Sequence, residues 1–230
     1  MKIIWLGHSS FRVEIEDQIL LLDPWIDGNP VFPAGREEEA TEGATAILLS
    51  HGHGDHAGNA QAISEHLGIP IACIHELSIL LASGGTETIG FGKGGAIKFG
   101  EVAVSMVNAV HSSSLDFGDH SVAYAGGEAG FMIRGEGHTI YFTGDTDIMA
   151  DMAWMGEYYA PDIGILCAGG HYTMDMDAAA WAAKKFFNFK VVIPCHYKTF
   201  PIPAQSADAL VGALPGVDVK TPNVMDAVEI

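Results

Sequence analysis

The stretch His51-Gly-His-Gly-Asp-His56 constrains this chain most, because four metal-binding side chains fall within six residues. It directly follows an apolar run, Thr45 to Ser50, that is typical of a buried strand. Where such a strand ends, His51 and His53 point to the same side, so both imidazoles can reach one ion. The Asp and the last His come where the chain bends into a helix, and they can hold a second ion. The stretch therefore predicts half of a two-metal site.

An exposed loop that binds nothing is the alternative interpretation, and it would suit a lone His-x-His well. Three His and one Asp in six residues, directly after a strand, make that interpretation a poor fit. The two glycines between the ligands are expected to let a crowded, sharply turning backbone pass without steric conflict. Distant segments must then supply the remaining ligands.

Three further apolar segments end in a residue that can bind metal. Val102 to Val110 leads to His111, Thr139 to Thr143 leads to Gly144 and Asp145, and Lys190 to Cys195 leads to His196. If these strands share a sheet edge, all of the ligands meet there. Imidazole and carboxylate donors suit Zn, which is the metal we expect, with Mn, Ni, Co or Fe as alternatives.

The chain's length and composition favour one large α/β domain over residues 1–230, because 48% of the residues are apolar and only 17% are charged. Periodicity predicts the following elements: strands over Lys2 to Leu6, Phe11 to Ile15, Gln18 to Leu22, Ile69 to Ile74, Ser121 to Tyr124, Gly130 to Ile133 and Asp162 to Leu166, and helices over Asn59 to Leu67, Glu76 to Ala82, Asp177 to Phe187 and Ala204 to Leu214. Asp175 or Asp177 is expected to cap the third helix. The order of elements suggests two similar halves that face each other.

Charge and cysteine content limit the partners. The formal charge of -18 disfavours nucleic acid and anionic membranes, which leaves a small-molecule substrate. Three cysteines without a CxxC spacing indicate a reducing compartment, and neither a signal peptide nor a membrane-length apolar stretch is evident. We therefore expect a cytoplasmic protein, and enzymes of this size commonly form homo-oligomers.

The ligand pattern resembles the metallo-β-lactamase superfamily, whose HxHxDH motif stands here as His51 to His56. Four further stretches resemble the UPF0173 metal-dependent hydrolases, which are related to the ascorbate-phosphate lactonase-like branch: WLGHSSF (Trp5 to Phe11), DPWIDGNP (Asp23 to Pro30), GGHYTM (Gly169 to Met174) and HYKTFP (His196 to Pro201). The resemblance implies a four-layer αββα sandwich. It also implies two metal ions: His51, His53 and His111 hold the first, Asp55, His56 and His196 hold the second, and Asp145 bridges both.

By this resemblance the reaction is hydrolysis of a small ester, lactone, thioester, amide or phosphodiester by a metal-bridged hydroxide. Asp55 is expected to orient the attacking water or accept its proton, and His171 or Tyr172 to protonate the leaving group, although a plain loop role fits the latter two equally well. The alternative is a mononuclear iron oxygenase of the same fold, if only the first site fills.

Supporting roles are predicted for three residues. Asp23 is expected to orient a ligand histidine through its second ring nitrogen, or else to form a turn before Pro24. His8 is expected at the cleft or behind a ligand. Lys198 shares the side of His196 if the chain stays extended, and could then pair with an anionic substrate; the related group is expected to carry Asn there. The loops Trp25 to Gly43 and Ser112 to His120 are expected to select the substrate, with Trp25 and Phe32 as pocket walls.

Overall fold

The computed structural model describes residues 1–116 and 121–230, so Phe117 to His120 of the second predicted substrate loop lie outside the described residues. The strands, in chain order, are β1 (Lys2–Gly7), β2 (Ser10–Ile15), β3 (Gln18–Leu22), β4 (Ala46–Leu48), β5 (Ile71–Ile74), β6 (Thr88–Phe91), β7 (Ala96–Phe99), β8 (Val102–Asn108), β9 (Ser114–Asp116), β10 (Val122–Tyr124), β11 (Ala129–Gly135), β12 (His138–Phe142), β13 (Ile163–Cys167), β14 (Val191–Cys195), β15 (Asp218–Val219) and β16 (Ala227–Glu229). The helices are α1 (Glu37–Thr41), α2 (Gly54–Ala57), α3 (Ala60–Leu67), α4 (His75–Ser83), α5 (Asp151–Tyr159), α6 (Met176–Phe186) and α7 (Asp208–Ala213).

Two seven-stranded sheets form the centre of the molecule. The first has the order β16-β1-β2-β3-β4-β5-β6, and the second has the order β15-β14-β13-β12-β11-β8-β7. Their inner faces share one apolar core, in which the rings of Phe11 and Phe142 approach to 6.2 Å between centroids. Helices α3 and α4 pack on the first sheet, whereas α5, α6 and α7 pack on one another in the second half. The predicted four-layer αββα sandwich is confirmed.

Strand direction brings the predicted ligands to one edge of each sheet. Strands β1 and β3 are both antiparallel to β2, and β3 is parallel to β4, so all three end at the same edge. In the second sheet β8 and β12 are both antiparallel to β11, and β12, β13 and β14 are mutually parallel. The carboxyl ends of β4, β8, β12 and β14 therefore lead to predicted ligands, and those of β1 and β3 lead to His8 and Asp23.

Most predicted elements are present within a few residues, and Asp175 is the cap of α6, where its carboxylate accepts a hydrogen bond from Ala178 N. The prediction missed α5, because its exposed Trp154 and Tyr158 obscure the apolar face formed by Met152 and Met155. The final helix was predicted too long.

Residues 204–207 form a loop instead of the first turn of that helix. There Ala204 N donates to Gly169 O at 2.8 Å. Similarly, the predicted loop Trp25 to Gly43 contains α1, and its Phe32 packs on the small cluster of Leu6, Ile26 and Ala40 rather than on the site. No helix in the described part of the chain is long and apolar enough to cross a membrane.

Candidate metal centre

The first group of side chains that could hold a metal ion consists of His51, His53 and His111. His51 follows β4 and is fully buried, and its Nε2 lies 3.0 Å from His53 Nδ1. His111 follows β8 of the opposite sheet, and its ring centroid lies 5.2 Å from each of the other two. One nitrogen from each residue falls within 4.8 Å of the others, as three donors to a common ion require.

The second group consists of His8, Asp55, His56 and His196, whose donor atoms also lie within 4.8 Å of one another. Asp55 and His56 belong to α2, whereas His8 and His196 follow β1 and β14. His196 N donates a hydrogen bond to His8 O at 3.0 Å, which joins the two sheets at this point. The sequence predicted three of these residues together; His8 was expected only at the cleft or behind a ligand.

Asp145 lies between the two groups. Its Oδ2 is 3.3 Å from His56 Nε2, 3.6 Å from His111 Nε2 and 3.2 Å from His196 Nε2. It follows β12 through Gly144, whose φ is +57° and whose backbone lies so close to Ala129 O that a Cβ would approach that oxygen to 2.6 Å. One carboxylate therefore contacts histidines of both groups.

These distances suit a shared divalent cation better than hydrogen bonds. Donors about 2.0–2.1 Å from a tetrahedral Zn lie roughly 3.3 Å from one another. In addition, three of the six buried side-chain atoms without a hydrogen-bond partner among the described residues belong to this set: His56 Nε2, Asp145 Oδ1 and His196 Nδ1. Buried polar atoms are seldom left without a partner, so the donor set fits the metal ions that the sequence motif implies.

Asp23 stands behind this set, at the end of β3. Its Oδ2 accepts a hydrogen bond from His56 Nδ1 at 2.7 Å, and its Oδ1 accepts one from Ser50 N at 2.7 Å. Ser50 Oγ donates to the same carboxylate. Because Nδ1 carries the proton, His56 Nε2 is free to face the centre, which is the arrangement typical of metal-binding histidines.

Electrostatics favour the metal-binding forms of most of these groups. Burial lowers the pKa of His51, His53 and His111, so they are neutral at pH 7. Burial raises the pKa of Asp145, but His56 and His196 outweigh it and hold the pKa well below its usual range. For His56, burial lowers the pKa, yet Asp145 and Asp23 raise it well above its usual value. In the absence of metal His56 therefore holds a proton between Asp145 and Asp23, and a bound cation would take the place of that proton.

Residues 2–196 match the sequence profile of the β-lactamase superfamily domain. The UPF0173 metal-dependent hydrolase of Dinoroseobacter shibae is 61% identical over 231 residues, and that of Paracoccus denitrificans is 59% identical, with 100% of each chain covered. This chain belongs to the UPF0173 group of the metallo-β-lactamase superfamily. Among solved structures, Igni18, described as a novel metallo hydrolase from Ignicoccus hospitalis, has a TM-score of 0.86 at 31% identity and covers 99% of this chain and 97% of its own.

The HxHxDH motif contains two glycines, and close packing excludes a side chain at only one of them. A Cβ on Gly52 would lie 2.8 Å from Ser114 O and 2.9 Å from Ala125 Cβ, so no side chain fits there. Around Gly54, at the start of α2, there is nothing within 4 Å. The expectation that both glycines relieve crowding is therefore correct for Gly52 alone.

Three residues that directly follow strands at this site adopt the left-handed conformation, which costs energy for residues other than glycine. The φ angles are +52° at His8, +44° at Asp23 and +61° at His196. Lys198 also has a φ of +62°, so the chain does not stay extended after β14 and the premise for placing Lys198 beside His196 is wrong. Its Nζ lies 5.3 Å from the centre of the Tyr197 ring.

The predicted proton donors, His171 and Tyr172, are exposed in the loop that follows β13. Their rings contact each other at 4.4 Å, and φ of His171 is +63°. In the described part of the chain neither side chain makes a hydrogen bond or ion pair with the seven predicted ligands, and the same holds for Lys198. The loop itself is fixed to the site, because a Cβ on Gly169 would lie 1.8 Å from His196 O.

Thr199 and Phe200 were not predicted from the sequence as site residues, although the structure places both beside His8. Thr199 Oγ1 lies 2.9 Å from His8 Nδ1, and the Phe200 ring lies 5.6 Å from the His8 ring. Trp25, expected only as a pocket wall, contacts His8 edge-on at 5.5 Å. The HYKTFP stretch was noticed as a family resemblance, but only the turn after His196 brings its later residues back to His8.

Proposed function

We propose that this protein is a dinuclear metal-dependent hydrolase that acts on a small ester, lactone, thioester, amide or phosphodiester. The observation that carries this proposal is the position of Asp145 Oδ2, 3.2–3.6 Å from histidines of two ligand groups. A single carboxylate in contact with both groups is what a bridging ligand of a two-metal site requires.

The proposed ligands of the first ion are His51, His53 and His111, and those of the second are Asp55, His56 and His196, with Asp145 shared. Zn is the proposed metal, since the donors are imidazole and carboxylate and, among the described residues, no cysteine belongs to either group. Bound divalent ions would supply Lewis acidity, which lowers the pKa of water and polarises the bond under attack.

The remaining chemistry falls to the side chains. Asp55 is the proposed base: its side chain is 32% exposed, so water and substrate can reach it, and His8 Nε2 holds its Oδ2 at 3.0 Å. His171 is the proposed donor to the leaving group, because its loop is fixed against the backbone of His196. The formal charge of -18 supports a small substrate, and three buried free cysteines support a cytoplasmic location.

The test combines metal analysis with turnover. We expect about two equivalents of divalent metal per chain by mass spectrometry, and hydrolysis of at least one member of a panel of lactones, thioesters, amides and phosphodiesters that is lost on chelation. Asp55→Ala should abolish turnover with little loss of fold by circular dichroism. His66→Ala is the matched control, because His66 is exposed on α3.

Full activity of the Asp55 variant would overturn the assigned base. One equivalent of iron with oxygen consumption and no hydrolysis would replace the hydrolase proposal with the mononuclear oxygenase.

A further inference from the structure

Two aromatic side chains from distant parts of the chain stack beside the second ligand group. The rings of Trp25 and Phe200 lie 5.8 Å apart at an interplanar angle of 29°, and each contacts the ring of His8, which in turn holds Asp55. His8 is fully buried, whereas Phe200 is 38% exposed and Trp25 is half-buried. The pair, called the aromatic platform below, thus presents ring surface next to the partly open Asp55.

The Trp25 side of the platform is held rigidly. Trp25 N donates to Ser10 Oγ at 2.9 Å, and Trp25 O accepts from Asn29 Nδ2 at 3.1 Å. The next peptide is fixed as well, because Ile26 N donates to Asn59 Oδ1 at 2.6 Å. The backbone that carries the indole is therefore preformed, so less conformational entropy is lost when a ligand contacts the ring.

The Phe200 side is braced in a comparable way. Gln205 Nε2 donates to Phe200 O at 2.7 Å, and Lys198 N donates to Ala204 O at 2.8 Å across the base of the loop. Ala204 N in turn donates to Gly169 O, which ties the loop to the backbone beside His196. Two independent loops thus hold a flat apolar surface that His8 connects to the proposed base.

The cationic side chains of the described residues give no support for an anionic substrate. Arg12 and Arg36 are occupied by Glu14 and Glu39. Lys198 lies close in sequence to a ligand, but its Nζ is placed over the Tyr197 ring. Among the described residues no arginine or lysine forms an ion pair with Asp55, so the side chains here supply no cation for an anionic group of the substrate. The apolar platform instead suits a neutral compound.

We propose that the substrate is a neutral carboxylic acid derivative, an ester, thioester, lactone or amide, with an aromatic or similarly flat apolar group that stacks on Trp25 and Phe200. This inference rests on the proposed function, whose metal centre performs the hydrolysis. In the reaction the acyl–oxygen, acyl–sulfur or acyl–nitrogen bond breaks, water supplies the hydroxyl group of the acid, and its proton goes to the leaving group.

The experiment compares matched acyl groups on the metal-loaded protein. The S-ethyl thioesters of phenylacetic acid and of acetic acid share a leaving group, so the difference between their kcat/KM values reports the effect of the phenyl ring. We expect the phenyl compound to be favoured on the order of 10-fold or more. Phe200→Ala and Trp25→Ala should each remove most of this preference, and Phe200→Tyr, which keeps the ring, should restore it. Trp154→Ala is the control, because Trp154 is exposed on α5.

A binding measurement separates this inference from the proposed function. Calorimetric titration with benzyl methyl ketone and with acetone, neutral compounds that cannot be hydrolysed, needs no turnover, and the benzyl compound should bind on the order of 10-fold more tightly, with the difference lost in Phe200→Ala. If no compound of the panel is hydrolysed, the proposed function fails while the titration still decides the platform. Equal binding of the two ketones, or a preference that survives both alanine variants, would overturn the inference.

Discussion

His8 connects more of the site than any other single residue. Its Nε2 contacts Asp55 Oδ2 at 3.0 Å and its Nδ1 contacts Thr199 Oγ1 at 2.9 Å, while its carbonyl oxygen accepts from His196 N and Trp5 Nε1. Burial lowers the pKa of His8 to about 4, so the ring is neutral and can donate one hydrogen bond to Asp55. The side chain therefore fixes one proposed ligand and the main chain fixes another.

Replacing His8 should selectively weaken the binding of the second proposed ion. We expect His8→Ala to lower the affinity for that ion by about 10–100-fold, the usual effect of removing a residue that orients a ligand. His8→Gln places an amide donor near the lost Nε2 and should recover much of the affinity. Metal titration followed by mass spectrometry measures both, and Thr199→Val, which removes only the Nδ1 partner, provides a graded control. Unchanged affinity in His8→Ala would show that Asp55 needs no support from this ring.

The metal-binding residue types that directly follow strands could be predicted from the sequence as one set, whereas the side chains that contact them could not. A metal-binding residue directly after an apolar run is visible in the sequence at His51, His111 and His196, and the structure brings these residues together. Their roles as ligands stay predictions. The contact between His8 and Asp55 joins residues 47 positions apart and depends on how β1 and α2 approach, which no local pattern contains.

At the scale of elements, parallel strands determine where the site forms. Strands β13 and β14 pair in parallel register from Ile163 and Val191 to Cys167 and Cys195, so their next residues emerge side by side. Ala168 N donates to Cys195 O at 3.0 Å and continues the pairing to the edge. Gly169 then lies directly against His196, and the register of one pair sets the position of a proposed ligand.

Gly169→Ala should disturb this edge. Its Cβ would lie 1.8 Å from His196 O, a backbone atom that cannot move alone, so we expect a loss of roughly 1–3 kcal/mol in unfolding free energy. That corresponds to a fall in Tm of about 2–12 °C. Gly212→Ala in α7 is the control, because nothing lies within 4 Å of that position and alanine favours a helix. Scanning calorimetry measures the Tm of both variants. Equal Tm values for Gly169→Ala and Gly212→Ala would argue against close packing at this edge.

The sequence predicted strands better than helices at this scale. The hairpin strands β1, β2 and β3 alternate or run apolar between clear turn residues, and they are confirmed. Helix α5 could not be found, since large aromatic side chains on its exposed face mimic buried residues. Helix α7 begins at Asp208 because the preceding backbone is bound to the opposite loop, a tertiary effect that periodicity does not report.

For the whole molecule, the proposed centre lies at the seam between two sheets. His51 and Asp55 follow β4 of the first sheet, whereas His111, Asp145 and His196 come from the second. Ions held by both sets would fasten the two sheets together in the folded state only. Metal binding and global stability are therefore expected to be linked.

Chelation should accordingly lower the thermal stability. An ion present at 100 times its dissociation constant stabilises the fold by about 2.7 kcal/mol, so its removal should lower Tm by about 5–11 °C in a chain of this size. We expect Asp145→Asn to shrink this shift, and His66→Ala, an exposed residue of α3, to keep it. Differential scanning fluorimetry with and without chelator measures the difference. A chelator shift that is the same in Asp145→Asn would place the stabilising ion elsewhere.

The aromatic platform also gives the molecule an optical signal of its own. Trp5 is buried against Tyr197, and Trp154 and Trp181 are exposed on helices, which leaves Trp25 as the indole in ring contact with His8. Emission from Trp25 depends on its immediate surroundings, and a paramagnetic ion or a stacked ligand nearby quenches it. In a variant whose two exposed tryptophans are replaced by phenylalanine, events at the centre become visible as changes in fluorescence lifetime, without any attached dye.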